Sequence, residues 1–91
     1  MQRIAYAYIL ICSDGSLYTG WTYNPQNRLA THNSGKGSRY TRSRLPVKLC
    51  YVEECADKRE AQRREWQIKQ LTRAQKKALI DNHGTGNYNV V

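Results

Sequence analysis

No apolar run in this sequence approaches the roughly 18–20 residues that a membrane-spanning helix needs. The longest, from Ile4 to Cys12, is interrupted by tyrosines and reads as a strand. No small-residue cleavage site comes after that run, so no secretory signal is expected. Cysteine is scarce: Cys12, Cys50 and Cys55 are odd in number and lack a Cys-x-x-Cys spacing, which supports neither a disulfide framework nor a zinc site. They read as small reduced core residues of a cytoplasmic protein. Cys50 and Cys55, five apart in one strand, are expected on opposite faces. Repeats, low-complexity tracts and linkers are missing too, and 91 residues leave room for one modest core. A single domain over residues 1–91 is expected, with 84–91 as a flexible tail.

Acidic residues are also few. Fifteen Lys and Arg against 7 Asp and Glu give a net charge of +8, which favours a polyanionic partner. A basic surface alone is common among small soluble proteins, but here the cations cluster. Lys36, Arg39, Arg42, Arg44 and Lys48 occur in one stretch with no acid among them. Tyr40, Ser38, Thr41 and Ser43 are interspersed, able to stack on bases or donate to phosphate. Nucleic acid is the expected partner, and Lys36, Arg39, Tyr40, Arg42, Arg44 and Lys48 its expected contacts. The many cations on the later helices read mostly as a solvated surface.

Along the chain, residues 5–12 read as a strand, Asp14-Gly15 as a hairpin turn and Leu17 to Thr22 as the returning strand. Asn24-Pro25 has the cap-then-proline form of a helix start, with Gly35 as its stop. The basic loop comes next, then a third strand from Val47 to Glu54. Asp57 with Glu60, and Thr72 with Gln75, each fit a helix-capping pattern and open two more helices. The order β-β-α-β-α-α predicts a small α+β domain: a three-stranded antiparallel sheet flanked by three helices.

Phenylalanine is absent while tyrosine occurs 7 times, so nearly every single-ring aromatic carries a hydroxyl. Tyr23 and Tyr51 suit the plain reading, hydroxyls at a core edge meeting water. Tyr6, Tyr8 and Tyr18 lie on two strands joined by a tight turn. Gly20, on the Tyr18 face, marks a place where another group comes close. Arg28 and His32, four apart, share one face of the first helix. Glu65 falls within the apolar stripe of Ala61 and Ile68, so its carboxylate must be paired, protonated or bound to a cation. A salt bridge to Arg28 or to a neighbouring helix is the structural alternative; a hard divalent ion is the functional one. Tyr, His, Arg and Glu converging on one cleft would supply a proton acceptor, a phosphate clamp and a metal ligand.

Tyr6-Ala7-Tyr8, then Tyr18-Thr19-Gly20, then Arg28, His32 and Glu65 in Arg-Arg-Glu-Trp, resembles the motif set of the GIY-YIG nucleases. The likeness is greatest to small stand-alone bacterial domains of that kind, which are similar to the nuclease domain of eukaryotic structure-specific endonucleases. Two positions depart from the pattern: Tyr6 stands at the first-motif glycine and Thr19 at the central isoleucine of the second. Asn89 resembles the family's late asparagine.

The resemblance implies that Tyr8 is a general base and that Tyr18 positions the nucleophile or a phosphate oxygen. Arg28 would bind the scissile phosphate, with His32 assisting proton transfer. Glu65 would hold a single Mg²⁺ or Mn²⁺. The expected function is therefore a metal-dependent DNA endonuclease of repair, recombination or foreign-DNA metabolism. Single-stranded, flapped or branched DNA is the expected substrate, and a protein partner could supply targeting. The alternative is a nucleic-acid-binding module of the same fold that lacks activity of its own or needs a partner for it.

Overall fold

A computed structural model describes residues 3–83, so the tail expected over 84–91, with Asn89 in it, lies outside the described residues. The elements are β1 (Ala5–Ile11), β2 (Leu17–Thr22), α1 (Pro25–Asn33), α2 (Arg39–Arg42), β3 (Lys48–Cys55), α3 (Lys58–Lys69) and α4 (Arg73–His83). The sheet is antiparallel in the order β2-β1-β3, with β1 central and β2 at an edge. The expected α+β architecture is present. To it is added α2, a single helical turn inside the basic loop, because Ser38 and Thr41 cap each other's backbone N–H.

Period-two alternation sends β1 residues to two different layers. Tyr8, Leu10 and Cys12 pack with Val47 and Leu49 on the face covered by α1. Ala5, Ala7 and Ile9 pack with Tyr51, Cys55, Ala61 and Ile68 on the face covered by α3. Small side chains at Ala5, Ala7 and Ala61 let α3 lie close to the sheet. Ile9, Leu10 and Ile68 are wholly buried, each contributing about 1.5–3 kcal/mol of hydrophobic stabilisation. Among the described residues no helix is long and apolar enough to cross a membrane.

Three expectations are corrected. Between Ile9 and Leu10 the β1–β3 register shifts, with Ile9 opposite Tyr51 and Leu10 opposite Leu49, so Cys50 is an extra bulged residue. The bulge turns Cys50 onto the same face as Tyr51, where Cys55 also lies, instead of the opposite one. Tyr51 does not meet water: it is buried and its hydroxyl donates to Glu53, whose carboxylate also accepts from Arg64 Nε at 2.8 Å. Burial, with the Glu53 contact, pushes the Tyr51 phenol up to about 12. Finally, β3 starts at Lys48 because Val47's backbone is already taken. Its N–H donates to Asn33 Oδ1 at 2.8 Å and its carbonyl accepts from Asn33 Nδ2 at 3.0 Å.

Local signals place the helices that carry the site. Asn24 Oδ1 accepts from Asn27 N–H, Pro25 occupies the first turn of α1, and Gly35 past its end has φ +84°. Asp57 caps α3 through Glu60 N–H, and Thr72 and Gln75 form a reciprocal capping box ahead of α4.

Candidate active site

At the β2 edge of the sheet a cleft of about 220 Å³ is lined by Tyr8, Tyr18, Gly20, Arg28, His32 and Glu65, together with Trp21, Gly37 and Ser38. Three elements build it. The β1–β2 pairing sets Tyr8 opposite Gly20 and Leu10 opposite Tyr18. Helix α1 brings Arg28 and His32 one turn apart, and α3, packed across the sheet toward its β2 edge, brings Glu65.

Buried polar groups make the heart of the cleft. Tyr8 Oη lies 3.0 Å from His32 Nε2, and His32 Nδ1 lies 2.8 Å from Thr41 Oγ1. All three side chains are almost wholly buried, so this chain satisfies atoms whose isolation would be costly. Thr41 Oγ1 also accepts from Ser38 N–H at 3.3 Å, so the cap of α2 and the clamp on the imidazole are one structure. Two glycines make room. A Cβ at Gly20 would stand 2.6 Å from Tyr8 Oη, and one at Gly37 would stand 2.1 Å from His32 Nδ1.

Burial pushes the Tyr8 phenol far above its ordinary range; Tyr18 and Glu65 add to the rise and Arg28 opposes it. Burial, with the Arg28 charge beside it, lowers His32 below its ordinary 6.5, which keeps the imidazole neutral at pH 7. Arg28 has no ion pair among the described residues. Glu65, its side chain 19% exposed, is paired with Lys69 of its own helix at 2.6 Å, rather than with Arg28 or another helix. Among the described residues no group of three or more His, Cys, Asp or Glu is placed to hold a metal ion. Any ion held at Glu65 would therefore draw its other ligands from water and phosphate.

The basic stretch does not behave as one free cluster. Arg44 is engaged on several sides: Nε donates to Asp14 at 3.1 Å, Nη1 donates to the Tyr40 carbonyl at 2.9 Å, and the guanidinium lies 3.9 Å over the Tyr40 ring. Tyr40 also stacks with Tyr18, whose ring centroid is 6.0 Å away. Thr41 is fully buried against His32, so it is no phosphate donor. Lys36, Arg39, Arg42 and Lys48 are exposed and have no ion pair among the described residues. Tyr6 lies in β1 on the Tyr8 face, opposite Thr22 and Glu54.

The pattern of the GIY-YIG catalytic domain matches residues 4–78. The chain belongs to the GIY-YIG family. A UPF0213 protein of Clostridium perfringens is 58% identical over 77 residues, covering 85% of this chain and 83% of its own. One of Halobacterium salinarum is 54% identical over 75 residues, covering 82% of this chain and 97% of its own. The solution structure of UPF0213 protein BH0048 from Bacillus halodurans is 43% identical, with a TM-score of 0.59 over 90% of this chain and 87% of that one.

Within this GIY-YIG domain, Gly37 and Trp21 are site residues that sequence reasoning missed, and Thr41, read there as a phosphate donor, instead holds His32. Ser38 and Thr41 cap α2 in the fold, and the hold of Thr41 on His32 depends on a contact that only the folded chain makes. Thr19, at the usual isoleucine, is buried opposite Ile9, and its hydroxyl has no hydrogen-bond partner among the described residues.

Proposed function

We propose that this GIY-YIG protein is a metal-dependent endonuclease that hydrolyses DNA phosphodiester bonds in the cleft at the β2 edge. The observation that carries this reading is the Tyr8–His32–Thr41 chain, at 3.0 and 2.8 Å, opening onto a cleft that also holds Arg28 and Glu65.

Tyr8 is not a standing phenolate, because its environment favours the protonated form. It works as a relay: its oxygen takes a proton from the attacking water while its own proton passes to His32 Nε2. A neutral imidazole with its hydrogen on Nδ1, donated to Thr41 Oγ1, is the tautomer that can receive it. The lowered pKa of His32 holds that acceptor open at neutral pH. Arg28, free of an ion pair among the described residues, binds non-bridging phosphate oxygens and offsets charge that grows in the transition state. Tyr18, leaning on His32 with ring centroids 5.3 Å apart, directs its hydroxyl to the water or to a phosphate oxygen.

Glu65 suits a Mg²⁺ or Mn²⁺ site of the kind with one carboxylate, waters and substrate phosphate. Lys69 would release or share that carboxylate. Such an ion, when bound, would polarise the phosphate and stabilise the leaving oxygen. Single-stranded, flapped or branched DNA suits a small domain with an open basic rim, in repair, recombination or foreign-DNA metabolism. A protein partner would supply targeting.

The test is cleavage of labelled single strand, duplex, 5′ flap and junction DNA with Mg²⁺, Mn²⁺ or EDTA, by the wild type and Glu65→Ala. Cutting that needs metal and is lost in Glu65→Ala, while DNA binding persists, supports the proposal. Salt-sensitive binding without cutting in either metal would replace it with a binding module of the same fold.

A further inference from the structure

Beside the candidate active site lies a second cleft, of about 260 Å³, walled by Trp21, Tyr23, Asn24, Asn27, Arg28 and Thr31. Trp21 and Arg28 wall both clefts. We infer that this second cleft is a base-binding subsite, holding the unpaired nucleobase next to the scissile phosphate and reading its edge through Asn27. The inference rests on the preceding reading in one respect, that Arg28 holds the phosphate.

Four observations carry it. The first is adjacency: a phosphate on Arg28 in one cleft puts the attached nucleoside at the mouth of the other. The second is the wall, where Trp21 and Tyr23 meet edge to face with centroids 5.2 Å apart and an interplanar angle of 86°. That edge-to-face contact fixes both rings, with Arg3 laid over Tyr23, and the Trp21 indole is the ring on which a base can lay its π-face. The third is charge. Among the described residues no Asp or Glu lines the cleft, while Arg3 lies 3.9 Å over the Tyr23 ring and Lys58 5.8 Å over that of Trp21. That surround selects an electron-rich, anionic-linked ligand over a cationic one.

The fourth is Asn27. Its backbone N–H is spent on the Asn24 cap and its carbonyl accepts from Thr31 Oγ1 at 3.0 Å. Its side-chain amide has no hydrogen-bond partner among the described residues. An amide with both donor and acceptor free is the group that pairs with a base edge at two points. The junction that aims it is rigid, since Asn24 N–H donates to Thr22 Oγ1 at 3.1 Å and Thr22 Oγ1 donates to the Asn24 carbonyl at 3.4 Å. The size suits one base: larger small-molecule sites run to ~300–1,000 Å³.

The experiment is an NMR titration of the ¹⁵N-labelled full chain, in EDTA, with the dinucleotides d(ApA), d(GpG), d(CpC) and d(TpT), and with deoxyribose 5-phosphate. The Trp21 indole N–H and Asn27 side-chain NH₂ signals should move together along one saturating curve, with about a tenfold preference for one base. Deoxyribose 5-phosphate should leave the Trp21 indole unmoved. Asn27→Ala should erase the preference without altering the spectrum of the folded core. Shifts confined to Lys36 through Lys48, or movement at Trp21 equal for all four bases and kept in Asn27→Ala, would overturn the subsite. DNA cleavage without shifts at Trp21 and Asn27 removes the subsite and leaves the nuclease; base-selective shifts in a chain that never cuts do the reverse.

Discussion

On one face of β1, Ala5, Ala7 and Ile9 give α3 a smooth apolar seat; on the other, Tyr8 and Leu10 meet α1 and the α2 turn. One strand thus serves two purposes by alternation alone. On the α3 face the buried atoms are almost all carbon; the polar exceptions are Tyr51, tied to Glu53, which also accepts from Arg64, and Thr19, whose hydroxyl has no hydrogen-bond partner among the described residues. On the α1 face the buried set includes an imidazole, a phenol and a threonine hydroxyl, each satisfied by the next. That face gives up apolar packing for a polar chain which ends in a cleft. The contrast separates residues whose loss should unfold the domain from residues whose loss should silence it.

The largest effect expected from breaking that contrast is at Tyr8. Tyr8→Phe removes the hydroxyl proposed as the relay and should lower cleavage by about 10²–10⁴-fold. It should cost about 1–3 kcal/mol of stability, because His32 Nε2 loses its partner, measured by urea unfolding beside the rate. Ile68→Ala, on the other face, should do the opposite. It should lose about 2–5 kcal/mol of stability for the cavity, with the rate per folded molecule unchanged at low temperature.

Thr41→Val keeps the shape and strands His32 Nδ1, so it should cost about 1–3 kcal/mol. It should also shift the acid limb of the pH–rate profile, a change that a purely structural threonine would not produce. His32 itself sets a pH dependence of stability. Its folded pKa lies below the unfolded 6.5, so below 6.5 the unfolded chain binds protons that the folded chain refuses. Stability is then complete above 6.5 and falls as pH drops toward the folded pKa. The urea midpoint should decline over that window, and His32→Gln should flatten the decline. The smallest effect is a gain: Thr19→Val removes a buried hydroxyl that has no partner among the described residues and should raise stability by about 1 kcal/mol. A loss there would mean that the hydroxyl has a partner after all.

Much of this arrangement was legible from local patterns. Alternation in residues 5–12, Asn24-Pro25, Asp57 with Glu60 and Thr72 with Gln75 are short-range signals, and each element they announced is present. Arg28 and His32 were legible as a pair because four residues make one helical turn. Glu65 stood out as a carboxylate in an apolar stripe. What escaped was set by contacts distant in sequence. A single bulged residue at Cys50 leaves no trace in composition but reverses the alternation of its strand. Asn33's hold on Val47 and Thr41's hold on His32 join residues that only the folded chain brings together. Arg44 read as one more cation, and only the hairpin's Asp14 and the Tyr40 ring reveal that it is committed.

The most direct test measures rate and stability together for Tyr8→Phe and Ile68→Ala, on labelled single-stranded and flapped DNA with Mg²⁺ or Mn²⁺. The prediction is a crossed result: Tyr8→Phe folded but nearly inactive, Ile68→Ala destabilised but active per folded molecule. A Tyr8→Phe protein that cuts as fast as the wild type would contradict the relay, and with it the assignment of chemistry to the α1 face.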